Sequence, residues 1–418
     1  MPKQICCLVW RALRIGQSRK THSTQLRAVC KASIMTPAAR LSAAIDILDR
    51  ILDGTPAEQA LTNWGRASRF AGSGDRHSVR DVVYDALRCQ RSFAALGGGL
   101  TGRGLVLGSL RDKGADETAL FNGVGHAPAE ITIQDQGFTP QGYSALDCPE
   151  WLGPLLQDSL GADFESVLTA MRHRAPVFLR VNLAQTDRDQ AIAALAAEGI
   201  VARPHPLAKT ALEVTENARK IQTSQAYLSG LVELQDAASQ AVVEAIPLRP
   251  AMRVLDHCAG GGGKSLALAA QAKVALFAHD ADPRRMRDLP MRAKRAGVQI
   301  TVTENPESSG PYDVILTDVP CSGSGSWRRD PQGKWALTEA DLQRLVQIQA
   351  TIMDRAAAMV APHGHLVYVT CSMLRHENET QISEFLARHA NWHMQSQRRF
   401  SPIQGGDGFY FALLTREV

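Results

Sequence analysis

From residue 250 to the C-terminus, apolar runs of strand length alternate with helical stretches, and this alternation restricts the chain more than any other feature. The runs fall at 252–256, 274–279, 298–303, 312–317, 364–369 and 408–414. Helix-forming segments separate them. One is opened by Thr338 and Asp341 and carries Leu342, Leu345, Ile348 and Ile352 along one side. The pattern predicts an α/β fold, a doubly wound Rossmann-like sheet with helices on both faces. Ligands of such sheets bind beyond the C-terminal strand ends. Asp256, Asp280, Asp318 and Cys371 all stand at such ends, so chemistry is expected there.

The first strand runs into Asp256-His257-Cys258-Ala259-Gly260-Gly261-Gly262-Gly263-Lys264-Ser265. Glycines let backbone approach a ligand, and the helix starting near Lys264 offers free N–H groups. A nucleotide P-loop needs glycine where Cys258 stands, and the dinucleotide fingerprint needs it where Ser265 stands. Phosphate binding is therefore disfavoured. A donor with a carboxylate and a ribose, such as S-adenosylmethionine, fits better, the alternative being a purely structural turn. Asp280 ends the second strand, where an acid commonly accepts from ribose hydroxyls, while Asp282 reads as surface.

Two cysteines close successive later strands, in Asp318-Val319-Pro320-Cys321-Ser322-Gly323 and in Thr370-Cys371-Ser372. Cytosine C5 is a poor nucleophile. A thiolate adding to C6 makes it enamine-like, and an acid near N3, which Asp318 could supply, assists the addition. A free thiol titrates near 8.5, so such a site must favour the thiolate. The competing reading is two small buried residues or a disulfide. Methylation of an exocyclic amine typically uses Asp/Asn-Pro-Pro-aromatic, which Asp318 to Cys321 lacks. The following segment, with Arg328, Arg329, Lys334 and Trp335, reads as a loop that clamps a polynucleotide backbone or as solvated surface.

Ahead of this region, Thr36 and Pro37 open a helix with Leu41, Ala44, Ile45, Leu48, Ile51 and Leu52 on one face. A second helix is expected from about Asp75, and the glycines between 97 and 108 read as looser connections. Residues 36–130 thus form a small helical domain. Residues 148–235 read as a small α/β subdomain, with strands at 177–181, 212–214 and 231–234 and a helix whose capping box pairs Thr186 with Asp189.

Residues 1–34 hold seven Lys/Arg and no Asp/Glu, leaving the rest of a chain of net charge +4 slightly acidic. Nucleic-acid contact must therefore come from local patches. This basic leader reads as an extension upstream of Met35, expected to be disordered, or as a mitochondrial transit peptide. Eight cysteines without a C-x-x-C pair indicate a reducing compartment, the cytoplasm unless the leader is a transit peptide. Twelve histidines show no ligand spacing, so no metal is expected. No apolar run approaches the roughly 18 residues of a membrane span, and a monomer is the default.

These segments resemble the Nop/Sun family of RNA 5-methylcytosine methyltransferases, of the bacterial RsmB (Sun, Fmu) type. The likeness spans 148–418 and rests on the Asp256 to Lys264 turn, Asp318 to Gly325 and Arg328-Arg329-Asp330-Pro331. Tyr368 to Ser372 followed by Glu377-Asn378-Glu379, and Asp407-Gly408-Phe409-Tyr410, complete it. Residues 36–130 resemble a shortened NusB-type RNA-binding domain, helped by Val83-Tyr84 and Leu87-Arg88. The resemblance implies a class I methyltransferase domain over 236–418 that uses S-adenosylmethionine to methylate cytosine C5 in small-subunit rRNA. The alternatives are a tRNA substrate or a non-catalytic assembly factor.

By resemblance, Cys371 attacks C6, Cys321 assists product release, Asp318 contacts the base and Asp280 the ribose. Cys258, Ala259, Gly260, Gly261, Gly262, Gly263 and Lys264 would hold the methionine part of the donor, with Arg285 close by. The chain departs from the family at Gly260-Gly261, where Ala-Pro is usual, and at Gln332, where an acid is common. It also lacks the aspartate near adenine, for which Glu304 is the nearest substitute.

Overall fold

The computed structural model describes residues 35–417, so the basic leader lies outside the described residues. Thr36 caps α1 (Pro37–Leu52), its hydroxyl accepting from the Ala39 amide at 3.1 Å. After α2 (Ala57–Ala67), which periodicity did not reveal, come α3 (Ser73–Arg88), α4 (Gln90–Leu96), α5 (Gly102–Asp112) and α6 (Glu117–Leu120). Ile47, Leu48, Val79, Val83, Leu87, Leu105 and Leu107 form their shared core. The glycines expected to loosen this region tighten it instead. A Cβ on Gly97 would lie 1.8 Å from the Gly104 carbonyl oxygen, and one on Gly108 would lie 2.0 Å from that of Phe93. They let α4 and α5 touch backbone to backbone.

Next, α7 (Gly153–Leu160) and α8 (Phe164–Met171) precede a four-stranded antiparallel sheet of order β2-β3-β1-β4. It contains β1 (Val177–Val181), α9 (Arg188–Ala197), β2 (Val201–Pro204), β3 (Ala211–Glu216), α10 (Gln225–Leu228) and β4 (Val232–Leu234). The expected Thr186–Asp189 capping box does not form. Asp187 is the N-cap, accepting from the Gln190 amide at 2.8 Å, because an aspartate one residue nearer the helix reaches the free amides first.

The C-terminal region runs α11 (Ala237–Glu244), β5 (Arg253–Asp256), α12 (Gly263–Gln271), β6 (Ala275–Ala278), α13 (Leu289–Ala296), β7 (Thr301–Val302) and β8 (Tyr312–Asp318). It continues with α14 (Pro331–Ala336), α15 (Glu339–Met359), β9 (Val360–Thr370), α16 (Glu379–Arg388), β10 (Trp392–Phe400) and β11 (Phe409–Arg416). The seven strands are ordered β10-β11-β9-β8-β5-β6-β7. β5 to β9 are parallel, and β10 and β11 are antiparallel additions. The order reverses between β5 and β8, which places a binding crevice beyond their C-terminal ends. Thr338 and Asp341 form the expected capping box of α15.

The segment after Cys321 is not a free RNA clamp. Arg328 is buried against Asp407 at 3.2 Å, and Arg329 reaches Asp407 at 2.6 Å and Asp236 at 2.8 Å. Lys334 is buried and donates to the Arg88 and Asp147 carbonyls at 3.0 and 2.8 Å, and Trp335 donates to Leu87 at 2.6 Å. Adjacent cations that look like a phosphate clamp in sequence instead satisfy carboxylates and carbonyls where the layers meet. Among the described residues, no helix is long and apolar enough to cross a membrane, and no group of His, Cys, Asp and Glu could hold a metal.

Candidate active site

β5 delivers Asp256 into the interior, where Ser265 donates to one carboxylate oxygen at 2.6 Å and the other is buried without a partner. Burial pushes the Asp256 pKa up to about 7. The chain then turns through Gly260 (φ 51°) and Gly262 (φ 81°), conformations that favour glycine. At Gly262 a Cβ would also fall 2.2 Å from Leu289. Asp280, at the end of β6, fastens the turn by accepting the Gly260 amide at 2.8 Å. It also accepts from the Asp282 amide at 2.9 Å and from Arg285 at 3.1 Å. Asp280, Arg285 and the glycine turn are thus one cluster. Burial raises the pKa of the half-buried Cys258 thiol, against its thiolate form. Glu304 is exposed just past the two-residue strand β7.

Lys264, in the first turn of α12, donates to Asp318 at the end of β8 at 2.7 Å. Burial acts to lower the Lys264 pKa, but the Asp318 carboxylate more than offsets it and holds the amine above its usual range. The ammonium also lies 5.1 Å from the centre of the Phe409 ring. One ion pair therefore ties the glycine turn to the strand end that leads to the first thiol.

Cys321 and Cys371 face each other with sulfurs 3.4 Å apart. The pair is asymmetric. The thiol of Cys321 hydrogen-bonds Cys371 and lowers its pKa, with Lys264 and the Ser326 hydroxyl adding to the effect against the cost of burial. The same contact and burial raise Cys321, as does Glu377. A thiolate on Cys371 beside a thiol on Cys321 is the arrangement these surroundings favour.

Glu377 holds both thiol loops. Its buried carboxylate accepts from the Ser322 amide at 2.8 Å, the Ser322 and Ser372 hydroxyls at 2.5 Å each, and Gln349 at 2.9 Å. Asn378 donates to the Ser372 carbonyl at 2.9 Å and accepts from Thr370 at 2.6 Å. Ser322, Thr370 and Ser372, chain neighbours of the two cysteines, are thereby held by one buried acid-amide pair. Sequence chemistry assigned these two residues no role. Their one signal in the sequence is the Glu377-Asn378-Glu379 run, which belongs to the family likeness. Asp256 was placed at a strand end, but its unpartnered oxygen is visible only in three dimensions.

Residues 244–415 match the family described as 16S rRNA methyltransferase RsmB/F, and residues 148–222 match the RsmF/B-like ferredoxin-like domain. The chain is 32% identical over 305 residues to the ribosomal RNA small subunit methyltransferase B of Xanthomonas campestris, covering 68% of this chain and 69% of that one. The protein of the same name from Photorhabdus laumondii is 31% identical, covering 74% and 76%. Among solved structures, PH0851 superposes with a TM-score of 0.71 at 22% identity, covering 91% of this chain and 99% of that one. NSun6 from Pyrococcus horikoshii with SFG gives 0.57 at 16% identity, covering 64% and 98%. The two structures share the fold, and the sequence matches go further: the chain belongs to the RsmB/Sun-type family of RNA methyltransferases.

Proposed function

We propose that this protein transfers a methyl group from S-adenosylmethionine to C5 of a cytosine in small-subunit rRNA, through a covalent bond between Cys371 and C6. The 3.4 Å sulfur separation at adjoining strand ends carries the reading. A disulfide would require about 2.05 Å, so the two groups stand as separate thiols. The donor's fit is supported by the left-handed turn at Gly260 and Gly262, the unpartnered Asp256 oxygen and the buried Asp280. Cys258 to Lys264, Asp280 and Arg285 would hold it, with Glu304 on the adenine side. Bound there, it supplies an electrophilic sulfonium methyl.

The remaining steps belong to the chain's own side chains. Cys371 as thiolate adds to C6. The C5–C6 pair shifts to C4–C5 and the C4–N3 pair moves onto N3, which gains a proton or hydrogen bond and leaves C5 enamine-like. Asp318, paired with the Lys264 ammonium, lies next to this centre and can hydrogen-bond the base edge. C5 takes the methyl, with S-adenosylhomocysteine as the leaving group. A base then accepts the C5 proton, the freed C–H pair re-forms the C5–C6 double bond, and the Cys371–C6 bond breaks with its electrons returning to the Cys371 sulfur. Cys321 is the group adjacent to that bond. Residues 36–130 would serve as a NusB-like RNA-binding domain, and the site of action would be the cytoplasm, or the mitochondrion if residues 1–34 are a transit peptide.

The test uses two variants and radiolabelled donor. Cys371→Ala should abolish methyl transfer while leaving donor binding within a few fold. Cys321→Ala should accumulate an RNA–protein adduct that survives denaturing electrophoresis. Near-full activity in Cys371→Ala would overturn the assignment, and a non-catalytic assembly factor would form no adduct in either variant.

A further inference from the structure

α3 has two faces. Val79, Val83, Ala86 and Leu87 enter the helical core, whereas His77, Arg80, Asp81, Tyr84, Asp85 and Arg88 recur at three- and one-residue steps along another side. This second face walls a groove of about 920 Å³ where the helical region, the four-stranded sheet and the segment after Cys321 meet. Arg174 and Arg219 come from the sheet side, and Arg328 and Arg329 close the groove from the catalytic side. Six arginines line it against three carboxylates, in a molecule whose described part is otherwise not basic.

The arginines are not equivalent. Arg328 and Arg329 are committed to Asp407 and Asp236, and Arg80 is paired with Glu58 and stacked on Tyr84 at 4.8 Å. Arg174 and Arg219 share a single carboxylate, Asp81, at 3.4 and 3.3 Å, with side chains 61% and 58% exposed. Two cations on one anion, in long and solvated pairs, hold weakly. The groove also lies close to the thiols. The Ser326 hydroxyl is 4.0 Å from the Cys371 sulfur, and Arg329 follows three residues later, a backbone span of at most about 11 Å.

We propose that this groove carries the RNA backbone toward the thiols, and that Arg174 and Arg219 exchange Asp81 for phosphate when RNA enters. The proposal rests on the RNA methyltransferase reading above. Asp81 would then act as a resident substitute for phosphate, holding the arginines in place while weakening the groove's grip on RNA. Recognition here is electrostatic and independent of sequence, since the residues involved offer charge rather than base-edge chemistry.

The experiment compares wild type, the Arg174→Gln/Arg219→Gln double variant and Asp81→Asn on an in vitro transcript of small-subunit rRNA. Equilibrium binding and methyl transfer are measured across a potassium chloride series. The double variant should reduce the slope of log affinity against log salt by about 1.4, at about 0.7 per lost contact with single-stranded RNA. Its KM should rise about tenfold with kcat nearly unchanged. Asp81→Asn should bind more tightly than wild type. Both variants break the same ion pairs, so a merely structural role would move both in one direction. An unchanged slope and KM in the double variant, or weaker binding by Asp81→Asn, would overturn the proposal. A wild type that methylates neither this transcript nor deproteinised tRNA would instead overturn the enzymatic reading.

Discussion

Asp256 ends β5 with one oxygen on Ser265 and the other buried without a partner, and its pKa is pushed up to about 7. An unfolded aspartate titrates near 3.9. Between those two values the unfolded chain releases a proton that the folded chain keeps. The stability the group contributes is therefore present below about pH 4 and lost as pH rises to about 7. Asp256→Asn removes this dependence. Relative to the variant, the ligand-free wild type should lose at most about 4 kcal/mol between pH 4 and 8. Urea unfolding across that range measures it, and a gap between the two proteins that stays constant with pH would show that Asp256 is ionised in the fold. The strand-end position of Asp256 could be read from the sequence. Its raised pKa depends on what does not surround it, and no local pattern records that.

At the scale of elements, a glycine's meaning depends on what crosses it. Gly108 lies inside α5 with an ordinary helical backbone, so propensity alone makes alanine better by about 1 kcal/mol. The crossing of α4 reverses the sign. A methyl group there would lie 2.0 Å from the Phe93 carbonyl oxygen and 2.7 Å from its Cα, and backbone cannot swing aside as a side chain can. Overpacking of this kind costs about 1–3 kcal/mol or more, so Gly108→Ala should lower the melting temperature of the helical region. An unchanged or raised value would mean that α4 and α5 separate easily. The capping signals of α1 and α15 and the buried parallel strands were legible because local chemistry and burial agree there. β10 was not, because it is an edge strand whose residues Met394 to Arg398 stay exposed, with a register shift between Met394 and Ser396. The two thiols were legible for the opposite reason, since each follows a strand that topology must place beside the other.

Across the whole molecule, the helical region reaches the catalytic region through contacts that no periodicity announces. Lys334 bonds to Arg88 and Asp147, which are 246 and 187 residues away in sequence. This is why Arg328 to Trp335 reads as a surface loop in sequence and is a junction in space. Burial lowers the Lys334 pKa to about 8. The cost of keeping that cation buried should fade as pH rises through about 8 toward its unfolded value near 10.4, so this contribution to docking strengthens with pH. The neutral amine still has two N–H groups, enough for both carbonyls. Lys334→Met lacks both donors and leaves two buried carbonyls unsatisfied, at about 1–3 kcal/mol each. It should therefore open the junction at pH 7, seen as faster proteolytic release of the helical fragment and reduced methyl transfer. Wild type at about pH 9 should stay closed. If alkaline wild type opened as readily as the variant, the ammonium charge rather than the pair of hydrogen bonds would be what holds the helical region against the segment that carries Cys321.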